Sequence, residues 1–337
     1  MLIIQIGFLI TFIYFVLAYS YIVLTPAILL GNMKLINFSK SLSQTLITFM
    51  LTYAFNTKLF LNQPHEKIKK VMNENPNNID IIVANHVSTS DFIILMSYLQ
   101  KFNIDSYNFV FKNSIVYWPG FGLIMYSNPD IKLERNWNVD QKNLGKEIDN
   151  IPIMNKKQVI IIFPEGTRFT QDKLKEAQQF SLENNLPKYN NLLVPKSKGL
   201  WFIVNQLAKK NRLGRIWDMT LVLPKFLGKE SYLSDIVGKE IGNVYCDIRE
   251  LKLPANFEDN NIFKNWLHEN WKIKDKYIEQ YNRYQYEKIT FNDMRYNHLI
   301  FITFIIFLAT LLLYNKYGRY YLFFSIILSY ILIIFKL

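Results

Sequence analysis

His86 and Asp91 are the residues of this chain best suited to moving a proton; they form a His-x4-Asp pair within the stretch Ile79–Phe92, IDIIVANHVSTSDF. A carboxylate that accepts one imidazole N–H fixes the tautomer and the ring orientation, and leaves the other nitrogen to take a proton. Such a base serves a hydroxyl or amine nucleophile. Ser88 and Ser90 are close in sequence, but no G-x-S-x-G elbow surrounds them and their expected role is capping. The spacing alone fits two readings, a satisfied structural pair or a catalytic base. His65, His268 and His298 have no Asp or Cys at metal-ligand spacing. They are expected to be structural, and no metal site is expected.

A second cluster bears on that choice. Gln158–Phe163 (QVIIIF) is followed by Pro164, Glu165, Gly166, Thr167 and Arg168. Gly166 allows close backbone approach, and the Arg168 fork suits phosphate or carboxylate. A buried Glu165 would need Arg168 or a backbone amide as partner. In isolation, E-G-T-R also fits a surface turn with an ion pair. Lys132/Arg135 and Lys196/Lys198 stand at further strand ends or turns. If these ends share one sheet edge, they form a positive pocket beside the His86–Asp91 pair, suited to an anionic substrate that presents a hydroxyl.

The elements that must place these residues alternate. Ile79–Val83 is short, apolar and β-branched, and precedes N-cap residues and the apolar helical stretch Phe92–Leu99. It reads as a buried strand delivering His86 to the carboxyl edge of a sheet, where open α/β folds place ligands. Tyr107–Phe111, Gln158–Phe163, Leu192–Lys196 and Ile216–Leu223 read as further strands. Asp140–Ile151, Leu174–Asn184 and Gly199–Leu207 read as helices. The expectation is an α/β domain with a mainly parallel sheet flanked by helices. Trp118–Gly122 reads as an aromatic-flanked turn. The expected divisions are 1–61, 62–256, 257–297 (charged, aromatic and helical) and 298–337.

Both chain ends are apolar. Leu2–Leu30 carries no charge, and about 20 such residues cross a bilayer as a helix. No basic stretch precedes it, so it reads as a retained anchor rather than a signal peptide. Lys34 and Lys40 follow, placing the body of the protein on the cytosolic side. Leu42–Leu61 is interrupted by polar residues and reads as an interfacial helix. Leu299–Tyr314 and Tyr320–Phe335 read as a helical hairpin. The formal net charge of +12 over 337 residues calls for an anionic partner. With apolar ends and no nucleic-acid-binding module, an anionic membrane fits better than nucleic acid. The single cysteine, Cys246, excludes an internal disulfide framework.

NHVSTSD, KLERNW, FPEGTR and LLVPKSKG, in this order, resemble the four blocks of the glycerolipid acyltransferases, and more narrowly the lysophosphatidic acid and lysocardiolipin-type lysophospholipid acyltransferases. The resemblance runs from about Asn85 to Thr220. It implies an α/β acyltransferase domain resting on N-terminal membrane helices. His86 would deprotonate the acceptor glycerol hydroxyl, Asp91 would orient it, and the thioester of acyl-CoA would be attacked directly. Lys132, Arg135, Glu165, Gly166, Thr167 and Arg168 fall in the blocks that bind the acceptor phosphate. Pro195 and Lys196 fall in the block linked to acyl-CoA and the acyl pocket. Two positions depart from the pattern: Val87 stands where many relatives are polar, and Lys196 where arginine is frequent, which weakens bidentate recognition.

The implied reaction makes phosphatidic acid from lysophosphatidic acid. Acyl-CoA is a co-substrate, and no cofactor is implied. The alternatives are remodelling of another lysophospholipid, such as lysophosphatidylinositol or lysocardiolipin, and a non-catalytic lipid-binding protein. Loss of His86 or Asp91 would mark the last of these; both are present. An endoplasmic reticulum membrane follows from the resemblance alone.

Overall fold

The structure, a computed structural model, describes residues 2–31, 51–52, 55–117, 130–153, 156–229, 240–290 and 296–335, with single positions at 38, 42, 45, 48 and 122. The strands are β1 (Lys58–Leu61), β2 (Ile79–Ala84), β3 (Ser106–Lys112), β4 (Ile131–Leu133), β5 (Gln158–Ile162), β6 (Leu213–Val222), β7 (Asn243–Leu251) and β8 (Glu287–Ile289). They form one sheet in the order β4-β3-β5-β2-β6-β7-β1-β8. The helices are α1 (Leu2–Tyr19), α2 (Thr25–Leu29), α3 (His65–Met72), α4 (Asp91–Lys101), α5 (Trp137–Asp149), α6 (Gln171–Glu183), α7 (Ser197–Lys209), α8 (Asn260–Gln280), α9 (Tyr296–Tyr314) and α10 (Lys316–Phe335). Among the described residues five strand pairings are parallel, and two, β6–β7 and β1–β8, are antiparallel. The sheet is therefore mixed and mainly parallel.

β2 (IDIIVA) and β5 (QVIII) are buried at every position, the pattern of strands covered on both faces. Ile82, Ala84, Val159 and Ile161 face one layer, with Ile94, Tyr98 and Leu99 of α4 and Ile68 and Met72 of α3. Ile81, Val83, Ile160 and Ile162 face the other, with Leu144 of α5, Leu200 and Ile203 of α7, and Leu267 and Trp271 of α8. The polar exception in β2 is Asp80, fully buried. It is satisfied by Lys157, by the Trp217 indole N–H at 2.8 Å and by the Arg215 amide at 2.9 Å.

The chain leaving β2 enters α4 on the first face, whereas the chain leaving β5 runs on to α7 on the second. β2 and β5 are adjacent and parallel. Their connections part at this point and open a crevice at their carboxyl ends, the topological switch of an open sheet.

Several expectations need correction. Leu192–Lys196 is irregular rather than a strand. β5 is already paired on both sides, by β3 and β2, and Pro195 has no N–H to offer a ladder. Instead the Lys196 amide donates to Pro164 O at 2.8 Å. The sheet also reaches beyond 62–256. It takes in β1 and β8, and α8 packs on its second face. These short strands, of 4 and 3 residues, are specified by pairing rather than by local pattern. The 9-residue β7 alternates between buried and more exposed residues as far as Arg249. Its alternation breaks at Glu250, where a buried position would fall, so the sequence shows no continuous strand period there. The turn expected at Trp118–Gly122 lies, Gly122 aside, outside the described residues, and the segment Leu42–Leu61, expected as an interfacial helix, ends in strand β1 over Lys58–Leu61, where pairing with β7 overrides the local apolar pattern.

At the chain ends, α1 packs through Phe15, Val16 and Tyr19 against Ile305 and Ala309 of α9. The Tyr14 hydroxyl lies 3.2 Å from Thr310 Oγ1, and Tyr321 of α10 donates to Ile22 O. The three helices thus form one cluster. Among the described residues, no helix is long and apolar enough to cross a membrane.

The central strands carry the fold's stability. Truncating the fully buried Ile82 to alanine should cost roughly 2–5 kcal/mol. A lowered denaturant midpoint at unchanged slope would register this; an unchanged midpoint would contradict the packing described.

Candidate active site

β2 ends at Ala84, and Asn85 continues the ladder with its side chain. Asn85 Nδ2 donates to Leu221 O at 2.9 Å, and Asn85 Oδ1 accepts from the Leu221 amide at 2.8 Å. The chain can then turn away from β6 without orphaning buried polar groups. His86 follows, held at every polar atom of its main chain. Its amide donates to Glu165 Oε1 at 3.2 Å, and its carbonyl accepts from the Phe169 amide at 2.8 Å. Both partners come from the loop after β5.

The His86 ring is stacked on Phe163, with centroids 4.5 Å apart. Nδ1 donates to Asp91 Oδ2 at 2.9 Å. Asp91 is the first residue of α4 and fully buried, and the same oxygen accepts the Ser88 amide at 2.8 Å. The His86 side chain itself is 25% exposed. One nitrogen is committed to a buried carboxylate, and the ring remains open to solvent. This is the geometry expected of an oriented base.

Glu165 is buried beneath this loop. Its partner is a backbone amide rather than Arg168, and it holds the His86 loop instead of reaching toward an anion. Burial pushes its carboxyl up to about 8, opposed by the His86 amide, the Lys274 charge and the Leu193 amide; Asp91 adds to the upward push. Gly166 has φ +69°, a backbone conformation that disfavours any side chain, and a Cβ there would lie 3.5 Å from the Lys196 ammonium. Arg135 donates to Gly166 O at 3.0 Å and itself adopts φ 63°, a costly conformation for a non-glycine residue that tends to cluster at functional sites. Arg168 Nη1 lies 3.4 Å from Thr89 Oγ1. The Thr167 hydroxyl accepts from Lys173 at 2.6 Å. The structure thus gathers Arg135, Gly166 and Lys196 on one side of the loop, and Thr167, Arg168 and Lys173 on the other. Pro195 is buried beside Lys196, whereas Lys132 sits on β4 at the far edge of the sheet.

Sequence reasoning missed Phe163 as the stacking partner, Lys173, and the buried Lys274. For Lys274 a signal existed: Leu267, Trp271, Lys274 and Ile278 form one buried helical stripe, broken by a single charge. Of the other histidines, His65 is bonded to Glu287 at 2.7 Å. His268 is bonded to the Tyr189 hydroxyl and pushed down to about 4 by burial. Among the described residues no group of His, Cys, Asp and Glu is placed to hold a metal.

The Acyltransferase family model matches residues 66–222, from α3 to the end of β6. A probable 1-acyl-sn-glycerol-3-phosphate acyltransferase 5 of Arabidopsis thaliana is 27% identical over 202 residues, 60% of this chain and 53% of that protein. Lysocardiolipin acyltransferase 1 of Mus musculus is 26% identical over 218 residues, covering 63% and 56%. Lysophosphatidylinositol acyltransferase 10 of Caenorhabditis elegans is 26% identical over 207 residues, covering 60% and 52%. The chain spans about half the length of these curated relatives. The crevice between β2 and β5 lies within the segment that the family model matches.

Glu165 gives the fold a pH dependence of known sign. The folded chain holds this proton up to about pH 8, whereas an unfolded chain releases it near 4.5. Its contribution to stability is full below pH 4.5 and is lost as pH rises through about 8. The melting temperature of wild type minus that of Glu165→Gln should therefore fall across this window. Parallel curves would contradict the placement of Glu165.

Proposed function

We propose that this chain transfers a fatty acyl group from acyl-CoA to the free glycerol hydroxyl of lysophosphatidic acid, giving phosphatidic acid. The observation that carries the reading is the 2.9 Å bond from His86 Nδ1 to buried Asp91, which leaves Nε2 to work as base. Nε2 takes the hydroxyl proton as the oxygen attacks the thioester carbonyl. The C–O bond forms, the tetrahedral intermediate collapses with loss of the C–S bond, and the departing thiolate takes the proton back from His86. Arg168, Arg135 and Lys196, with Thr167, supply the cationic and hydrogen-bonding surroundings for the acceptor phosphate, and Gly166 keeps the loop open there; Lys132, at the far edge of the sheet, stands apart from them. Pro195 and Lys196 border the side proposed for acyl-CoA. No cofactor is needed for this exchange.

Purified full-length protein, acyl-CoA and a panel of lysophospholipids test this directly. His86→Ala should lower kcat roughly 10²- to 10⁴-fold, with Asp91→Asn also impaired. Full activity in His86→Ala would sink the mechanism. Lysophosphatidic acid should be the preferred acceptor. A second reading, remodelling of lysophosphatidylinositol or lysocardiolipin, draws support from the names of two relatives; a reversed preference in the panel would select it.

The same proposal puts the protein at a membrane, with the endoplasmic reticulum as the expected organelle and the catalytic domain facing the cytosol. α1, α9 and α10 expose large apolar side chains, among them Ile10 at 61%, Phe307 at 59% and Phe324 at 66%. Apolar surface on this scale marks a partner, and a formal charge of +12 favours an anionic one. The chain should co-float with anionic phospholipid vesicles, and deletion of residues 1–31 should weaken flotation. Flotation unaffected by that deletion would count against the anchoring role of α1.

A further inference from the structure

The second sheet face carries a charged row that the chemistry above leaves unused. Asp218 and Arg249 are partners across β6 and β7, and Asp247 stands two pairs along on the same face, opposite Thr220. Lys274 of α8 comes down among them with its side chain fully buried. Its ammonium donates to Met219 O at 3.0 Å and Val83 O at 3.3 Å, lies 2.5 Å from Asp218 Oδ1, and sits 4.8 Å from the centre of the Trp271 ring. Arg249 holds Asp218 from the other side at 2.6 and 2.8 Å, and also donates to Asn270 O of α8.

A buried ammonium is costly, and an apolar side chain of the same length often packs there at no loss. Its location is what distinguishes it. Ala84 and Met219 form the last pair that β2 and β6 make with each other, so the ammonium bridges the two strands where the His86 loop leaves β2. It also acts on Glu165, whose carboxyl accepts the His86 amide.

We propose that Lys274 is a positioning residue for His86: its ammonium ties the end of β2 to β6 beneath the loop and, facing Glu165, steadies the main chain of the base. The inference rests on His86 being the base. Lys274 lies beyond the 66–222 segment matched by the family model, so the family pattern does not supply it.

The groups facing Glu165 are the His86 and Leu193 amides, the Lys274 charge and the Asp91 carboxylate. Those facing Lys274 are Asp218, Glu165, Asp247 and the Cys246 thiol, with Arg249 behind Asp218. Removing the ammonium leaves Asp91 to oppose ionisation of Glu165, so the Glu165 carboxyl moves further above 8; that of Asp247, at about 6, also rises.

The test compares full-length wild type in bilayer nanodiscs with Lys274→Gln and with Lys274→Met/Asp218→Asn, which removes both buried charges together. Melting temperature, amide exchange at residues 85–91, and kcat and KM for acyl transfer between about pH 6 and pH 9 are measured. Either folded variant should lose kcat roughly 10- to 100-fold with little change in KM. Exchange at His86 should quicken, and the Glu165 inflection should move alkaline; in a Glu165→Gln background that displacement should vanish. A folded variant with wild-type kcat and an unmoved profile would overturn the proposal. So would a loss of kcat that follows melting alone, with exchange and profile unchanged. Full activity in His86→Ala would instead remove the base, and this inference with it, whatever the Lys274 variants do.

Discussion

The arrangement depends on the cross-bonding of two loops at the main chain of one residue. His86 gives its amide to Glu165 and takes the Phe169 amide on its carbonyl, so the loop after β2 cannot shift without the loop after β5. Each such bond contributes about 1 kcal/mol net, whereas stranding a buried partner costs about 1–3 kcal/mol. The asymmetry is what gives the site rigidity. The imidazole and the arginine of the second loop, Arg168, keep one spacing because moving apart would leave buried groups unpaired.

Around that joint, charge is sorted by depth. Asp91, Glu165 and Lys274 are buried, each facing a specific amide, carbonyl or counter-charge. Arg135 and Lys196 are exposed on the rim, where screening makes them weak as structural ties but leaves them available to an incoming anion. The interior polar groups hold shape, and the rim charges stay open to an anion. Gly166, in the left-handed region between them, keeps the backbone low enough for both.

Much of this could be read from residue order. β2 and β5 declared themselves as short β-branched runs ending in polar clusters, because strands buried on both faces have no polar side to alternate with. His86 and Asp91 were legible as a pair since the turn between them is local. The role of Glu165 was half legible: a carboxylate after a buried strand needs a donor, but which donor depends on a loop 79 residues away. Leu192–Lys196 looked like a strand because it is apolar, and only the prior pairing of β5 on both sides excludes it. β1 and β8 are too short to carry a pattern, and exist because β7 and then β1 offer them an edge.

That last pairing ties the two ends of the sheet-bearing body together. β1 enters directly after the apolar N-terminal region, and β8 leads directly into the apolar C-terminal one; the two strands lie side by side. Cutting away the first 61 residues to obtain a handier fragment would strip β1 from the sheet and bare the long flank of β7, with Val244, Cys246 and Ile248 behind it. An uncovered flank of that length invites strand-to-strand aggregation. The greasy ends and the chemistry are parts of one folding unit, and solubility cannot be engineered into this chain by scissors.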